Sequence, residues 1–244
     1  MDNDLEKAQD FNSYTSAQHS TWNFLYERQK ANLQGKASRL NLRTLDEMSS
    51  SLTSKTIPNV ADMVNQLSDK TGWSLEIVPG LIPPSDFFRL LSQKKFCTST
   101  WVRRQDQVDY IEEPDMFHDT FGHVPPLMDC DFASFMHRFG EVGAALSADG
   151  RDHQVTMLQR LYWFFVEFGF IREEGEAKLF GAGIMSSFGE TKHAWDLRDN
   201  LKVFDLEEVM ATPFRTDVIQ DFYFILNDIP QLEQDLNSWF EKTY

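Results

Sequence analysis

The sequence predicts a mainly α fold: one domain with a few short β-strands. Three observations carry this. Apolar residues recur at three- and four-residue spacing over several segments bounded by capping residues. The segments with strand character are short and scattered. No strand–helix–strand alternation and no linker divides the chain. With 244 residues, 41% of them hydrophobic and 25% charged, the composition is that of a globular domain able to bury a substantial core.

The elements follow in order. Residues 1–14 are polar and are expected to be a loosely held, flexible segment, leaving 15–244 as the domain. Thr15 and Gln18 have capping-box spacing. Trp22, Leu25, Tyr26 and Leu33 continue as a helical stripe, with Gly35 as its stop. Residues 36–56, rich in Ser and Thr and weakly patterned, read as a long loop. Ile57, Val60, Met63, Val64 and Leu67 recur at helical spacing between Pro58 and Gly72. Trp73 to Val78 alternates like a strand, Pro79-Gly80 and Pro83-Pro84 bracket a rigid loop, Asp86 to Ser92 reads as helix and Phe96 to Val102 as strand. Further helices are expected after Pro114, over Phe132 to Leu146, over Val155 to Phe168, after Gly181-Ala182-Gly183 and from Pro230 to Phe240. The Val155–Phe168 segment is apolar nearly all round, as in a buried central helix.

Charge and cysteine content narrow the function classes. The 38 Asp and Glu against 23 Lys and Arg give a net charge of −15, which opposes nucleic-acid or anionic-membrane binding. Only Cys97 and Cys130 are present, consistent with a reducing cytoplasm. The N-terminus lacks the apolar segment of a signal peptide, and the longest apolar run, Leu161 to Ile171, is too short to span a membrane. Aromatic residues, 14% of the chain, suit both a core and a pocket for a flat ligand.

Two segments carry chemistry. Glu167 lies within Leu161-Tyr162-Trp163-Phe164-Phe165-Val166-Glu167-Phe168-Gly169, with Phe164 and Trp163 one helical turn before it. A carboxylate buried there needs a cation, a metal or a proton; from this segment alone it reads first as a salt bridge to a distant Arg or a helix end reaching solvent. In Pro114-Asp115-Met116-Phe117-His118-Asp119-Thr120-Phe121-Gly122-His123 the two His are five residues apart, about 140° on an ideal helix. They converge only if the helix ends or distorts between them, and Gly122 offers such a break. Two imidazoles and a remote carboxylate suit a catalytic zinc ion or the face of a non-haem iron(II). Taken alone, the pair reads as surface or capping residues.

These segments, with Asp131-Phe132-Ala133-Ser134-Phe135 and Gly181-Ala182-Gly183-Ile184-Met185-Ser186-Ser187-Phe188-Gly189-Glu190, resemble the pterin-dependent aromatic amino acid hydroxylases, and most of all their short bacterial members. The four motifs stand in family order and spacing. The resemblance implies the catalytic fold of that family, with His118, His123 and Glu167 as iron ligands and catalytic centre. It implies that Gly80, Ile82 and Phe87 cradle the pterin, Phe87 stacking on its ring, with Asp119 and Tyr162 beside iron and cofactor; Asp119 stands where the animal enzymes often have Glu. Arg103 is implied to grip the substrate carboxylate, Asp115 to orient it, and Trp163, Phe164 and Ser186 to line or support the substrate pocket.

The activity so implied is hydroxylation of L-phenylalanine to L-tyrosine with dioxygen, Fe(II) and tetrahydrobiopterin or a related reduced pterin. Three alternatives are a tryptophan or tyrosine hydroxylase of the same family, a zinc hydrolase using the same His, His and Glu, and a non-catalytic binding protein on this fold. Trp163 weighs against the tryptophan enzyme. His19, His137, His153 and His193 match no ligand position. Because the family's catalytic core takes up nearly all 244 residues, a cytoplasmic monomer lacking the regulatory domain and tetramerisation helix of the animal enzymes is expected.

Overall fold

Side-chain caps set where most of the helices begin. The computed structural model describes residues 8–109, 111 and 113–244. Helix α1 (Ser16–Leu33) starts at Thr15, whose hydroxyl accepts from the Gln18 N–H while the Gln18 amide accepts from the Thr15 N–H. Its inward stripe is Trp22, Leu25, Tyr26 and Leu33, as expected. The long loop expected over 36–56 contains α2 (Arg39–Glu47), capped by Ser38. Two of its three buried residues, Asn41 and Thr44, are polar. Asn41 donates to the Phe180 carbonyl (2.7 Å) and Thr44 to Leu40 O, so an apolar-periodicity criterion passes over the helix.

Helix α3 (Val60–Thr71) runs from the Asn59 cap to left-handed Gly72. Strands β1 (Ser74–Ile77) and β2 (Lys95–Thr98) pair in parallel, joined through α4 (Pro84–Ser92). This is one small βαβ unit where none was expected. β2 stops at Thr98, short of Val102, because the Ser99 N–H turns to the Asp119 carboxylate instead of to a neighbouring strand. Helices α5 (Cys130–Ala148) and α6 (Asp152–Leu161) follow. The single buried helix expected over 155–168 divides: α6 buries only Leu158 and Leu161, and the backbone changes to a wider turn at Tyr162.

A four-stranded sheet closes the chain's second half, in the order β4-β3-β6-β5, from β3 (Phe170–Glu173), β4 (Glu176–Leu179), β5 (Lys202–Val203) and β6 (Phe224–Leu226). The β3–β4 turn holds Glu174 and Gly175 at positive φ, 52° and 87°. A Glu in the first position hides a turn whose usual signature is Asn-Gly or Asp-Gly. The remaining helices are α7 (Ala182–Ser186), α8 (Phe188–Asp196), α9 (Leu206–Ala211) and α10 (Ile229–Thr243).

A continuous cluster of buried apolar side chains runs from Trp22 of α1 to Leu236 of α10. Among the described residues no helix is long and apolar enough to cross a membrane. Of the segment expected to be loose, residues 1–7 lie outside the described residues. Residues 8–14 are tied down: Gln9 donates to Pro58 O and accepts from the Val60 N–H, and the Tyr14 hydroxyl donates to Thr100 O at 2.6 Å.

Candidate metal centre

Two widened helical turns bring the candidate ligands together. His118–His123 forms a π-turn in which the Val124 N–H reaches back five residues to Asp119 O (3.2 Å). The extra residue in the turn narrows the 140° offset, and the two Nε2 atoms stand 3.1 Å apart. The distortion expected between the two His takes this form, and the helix does not end at Gly122. Gly122 lies inside the widened turn, and its bare Cα admits α7: a Cβ there would sit 2.9 Å from Ala182 O.

The second π-turn, Tyr162–Glu167, is marked by the Phe168 N–H bonding Trp163 O at 2.9 Å. It presents Glu167 with Oε1 3.0 Å from His123 Nε2 and Oε2 3.7 Å from His118 Nε2. One ligand atom from each of the three side chains lies within 4.8 Å of the others, the one such His/Cys/Asp/Glu group among the described residues.

The protonation pattern suits a cation. Ser186 Oγ donates to Ala182 O (2.8 Å), so its contact with His118 Nδ1 (2.9 Å) is one in which the imidazole donates. That places the His118 proton on Nδ1 and leaves Nε2 as a bare lone pair facing His123 and Glu167. Burial keeps His118 neutral, holding its pKa at about 4 against the pull of Glu167. For Glu167 burial acts to raise the pKa, but His123, His118 and the Tyr162 hydroxyl outweigh it and hold the carboxyl at about 2. A carboxylate and an imidazole lone pair converging this closely form a donor set for a divalent ion with open positions.

Buried contacts hold these turns in place. Asp115, fully buried, accepts from Arg103 Nε (2.9 Å) and Nη2 (2.7 Å), and from the backbone N–H groups of Arg103 and His118. Among the described residues Arg103 Nη1 makes no hydrogen bond. On the other side, the Gly181-Ala182-Gly183 motif packs against the Glu167 backbone: a Cβ on Gly181 would lie 2.3 Å from Glu167 O and 2.6 Å from Gly169 N. Gly181→Ala is therefore expected to lower the unfolding free energy by about 1–3 kcal/mol, read from the denaturant midpoint at constant m-value. An unchanged midpoint would mean that this close approach is not a constraint.

A cavity of about 240 Å³ opens over the three side chains. Of the residues expected to surround the ligands, Gly80, Ile82, Phe87, Asp119, Tyr162 and Trp163 line it. Arg103, Asp115, Phe164 and Ser186 do not. Ser186 sits behind His118, and Phe164 packs among Phe214, Phe222 and Phe224. Phe87 meets Tyr162 edge to face at 5.2 Å. Asp119 accepts from the Ser99 N–H (2.7 Å) and hydroxyl (3.0 Å), yet burial still raises its pKa to about 7.

Sequence reasoning passed over Ser99, Gln159 and Phe214, all on the cavity wall. Phe214 stacks on Trp163 at 4.6 Å from a loop 51 residues on, which no local pattern signals. Three of the other four His are held by backbone groups: His19 by the Ile57 N–H, His137 by Ser92 O and His193 by Gln220 O.

Residues 7–243 match the family model of the biopterin-dependent aromatic amino acid hydroxylases. The chain belongs to this family. It is 40% identical over 230 residues to a phenylalanine-4-hydroxylase of Ralstonia nicotianae, covering 94% of this chain and 72% of that one. It superposes with a TM-score of 0.89 on the Chromobacterium violaceum phenylalanine hydroxylase solved with bound oxidised Fe(III), at 35% identity, covering 98% of this chain and 87% of that one. The human tyrosine 3-monooxygenase is more distant, 32% identical over 228 residues, which span 93% of this chain and 42% of that enzyme. For a member of this hydroxylase family, the two π-turns account for how a His pair five residues apart meets a Glu from another helix.

Proposed function

We propose that the chain is an iron(II)- and tetrahydropterin-dependent mono-oxygenase that converts L-phenylalanine to L-tyrosine. The observation that carries this reading is the open His118–His123–Glu167 group at the base of an aromatic-walled cavity, in a chain whose bacterial relatives at 35–40% identity are phenylalanine-4-hydroxylases. When bound, iron and the reduced pterin supply dioxygen activation and two electrons; the protein supplies position and environment.

His118, His123 and Glu167 hold the iron. Ser186 is a positioning residue, fixing the His118 tautomer that leaves Nε2 free for the metal. Phe87 offers a face to the pterin, with Gly80 and Ile82 forming the rim and Asp119 and Tyr162 lying between cofactor and metal. Trp163 walls the amino-acid side, stacked on Phe214, which Phe164 meets edge to face, and clamped by its Nε1–H bond to Gln220 (2.9 Å). Arg103 lies behind the cavity wall, its Nε edge taken by Asp115; its Nη1 side is the one offered to the substrate carboxylate, a planar recognition that a guanidinium suits. The apolar wall keeps water from the reacting centre.

Residues 15–244 form one catalytic domain in this reading, supported by the continuous core. A monomer is expected, because exposed large apolar side chains are spread over separate elements, among them Phe24, Leu81, Trp101 and Val203. A larger species by light scattering would refute it.

Ser186→Ala is expected to weaken iron binding about 10–100-fold while leaving the fold intact, measured by metal titration and thermal melting. The activity test presents purified protein with Fe(II), a tetrahydropterin and each of the three aromatic amino acids. Tyrosine from phenylalanine as the preferred product supports the reading. Preferred turnover of tyrosine or tryptophan, or hydrolytic activity with zinc, would overturn it.

A further inference from the structure

One position breaks the apolar stripe of α1. Between Tyr26 and Leu33 the inward residue is Gln29, 2% exposed. Its Nε2 donates to Met185 O (2.7 Å) and to the Thr191 hydroxyl (2.7 Å), while its Oε1 is buried without a hydrogen-bond partner among the described residues. An orphaned amide oxygen costs stability, so an apolar side chain would serve the core better here. What the carboxamide holds accounts for it.

The held element is α7. A helix this short, Ala182–Ser186, has no partners of its own for its last carbonyls. Thr191 Oγ1 lies 2.6 Å from Ile184 O, and Gln29 takes Met185 O. Met185 O belongs to the planar peptide group that carries the Ser186 nitrogen, so this bond fixes the plane from which the Ser186 side chain departs. Ser186 Oγ in turn meets His118 Nδ1 at 2.9 Å. The same face of α1 grips the turn on which His118 stands: Trp22 meets Phe117 edge to face at 5.4 Å, and Tyr26 meets Phe121 likewise at 5.2 Å. Helix α1 thus braces both sides of the Ser186–His118 contact.

We infer that Gln29 is a positioning residue for the metal centre: by fixing the Met185–Ser186 peptide it sets the Ser186 hydroxyl against His118, and with it the Nε2 lone pair offered to the metal. This assignment rests on the iron-dependent reading of the site. Because the route runs through Ser186, losing the Gln29 carboxamide and losing the Ser186 hydroxyl do not act independently on metal affinity.

The test is a double-mutant cycle. Fe(II) affinity is measured anaerobically, by competition with a chelator, for the wild type, Gln29→Met, Ser186→Ala and the double variant, with a thermal melt of each to certify the fold. Gln29→Met keeps the side chain's length and helix preference and removes the donor. It is expected to weaken Fe(II) binding about tenfold in the wild-type background, the lower end of what loss of an outer-shell partner costs. In the Ser186→Ala background the same change is expected to cost less than about twofold. A merely structural role would give the same loss in both backgrounds. Unchanged affinity in the single variant, or equal losses in the two backgrounds, overturns the assignment alone. Should Gln29→Met not fold, Thr191→Val, which removes the hydroxyl between Gln29 and Ile184 O, takes its place in the cycle, with the same two results overturning the assignment. Wild-type protein that binds no Fe(II) overturns the proposed function and this assignment with it.

Discussion

Glu167→Ala is expected to give a folded protein that retains no iron and forms no tyrosine. The carboxylate supplies the only negative charge in the three-residue group, and its Oε1 lies 3.0 Å from His123 Nε2. Without it, two imidazoles remain, too few donors for a hard iron(II) centre. The loss must exceed the roughly 10–100-fold that removal of an outer-shell partner costs. Metal analysis after desalting, with a thermal melt to certify the fold, checks it. Full iron occupancy in the variant would show that the metal is held elsewhere.

Asp115→Ala is expected to cost more stability than any other single change near the site, about 3–5 kcal/mol. Asp115 is fully buried and Arg103 nearly so, and the carboxylate accepts four hydrogen bonds: two from the guanidinium and one each from the Arg103 and His118 backbone. Removing it leaves an unpaired cation and two unbonded N–H groups away from water. Because one of those belongs to His118, iron affinity should fall together with stability. Urea unfolding at constant m-value measures the first effect and metal titration the second. A change under 1 kcal/mol would mean that water takes over the Arg103 contacts.

Fold and site differed in how far the sequence reached. The α1 capping box, the α3 stripe ending at Gly72 and the α5 stop before Asp149-Gly150 were legible, because the residues responsible are local. Helix α2 was not: its inward positions are Asn41 and Thr44, and their value lies in carbonyl groups far along the chain or one turn back. Strand β6 is three residues long and pairs with β3 and β5, both more than 20 residues earlier, so nothing nearby marks it.

At the site, the motifs identified His118, His123 and Glu167, but ideal helical geometry left them unable to meet. The π-turns that resolve this are tertiary features: Gly122 and Gly181 let α7 press against both turns, a close approach that no single segment encodes. Gln159 and Phe214 escaped notice because a Gln on a helix and a Phe in a loop carry no signal until the cavity is formed around them.

On the proposed function, this cavity places the ring of phenylalanine where one atom of dioxygen is transferred to it. The most direct measurement is turnover of L-phenylalanine with Fe(II) and a tetrahydropterin under isotopically labelled dioxygen, with mass analysis of the product. The expected product is tyrosine carrying one labelled oxygen, formed only when both iron and pterin are present. Unlabelled tyrosine, or labelled tyrosine formed without pterin, would contradict it.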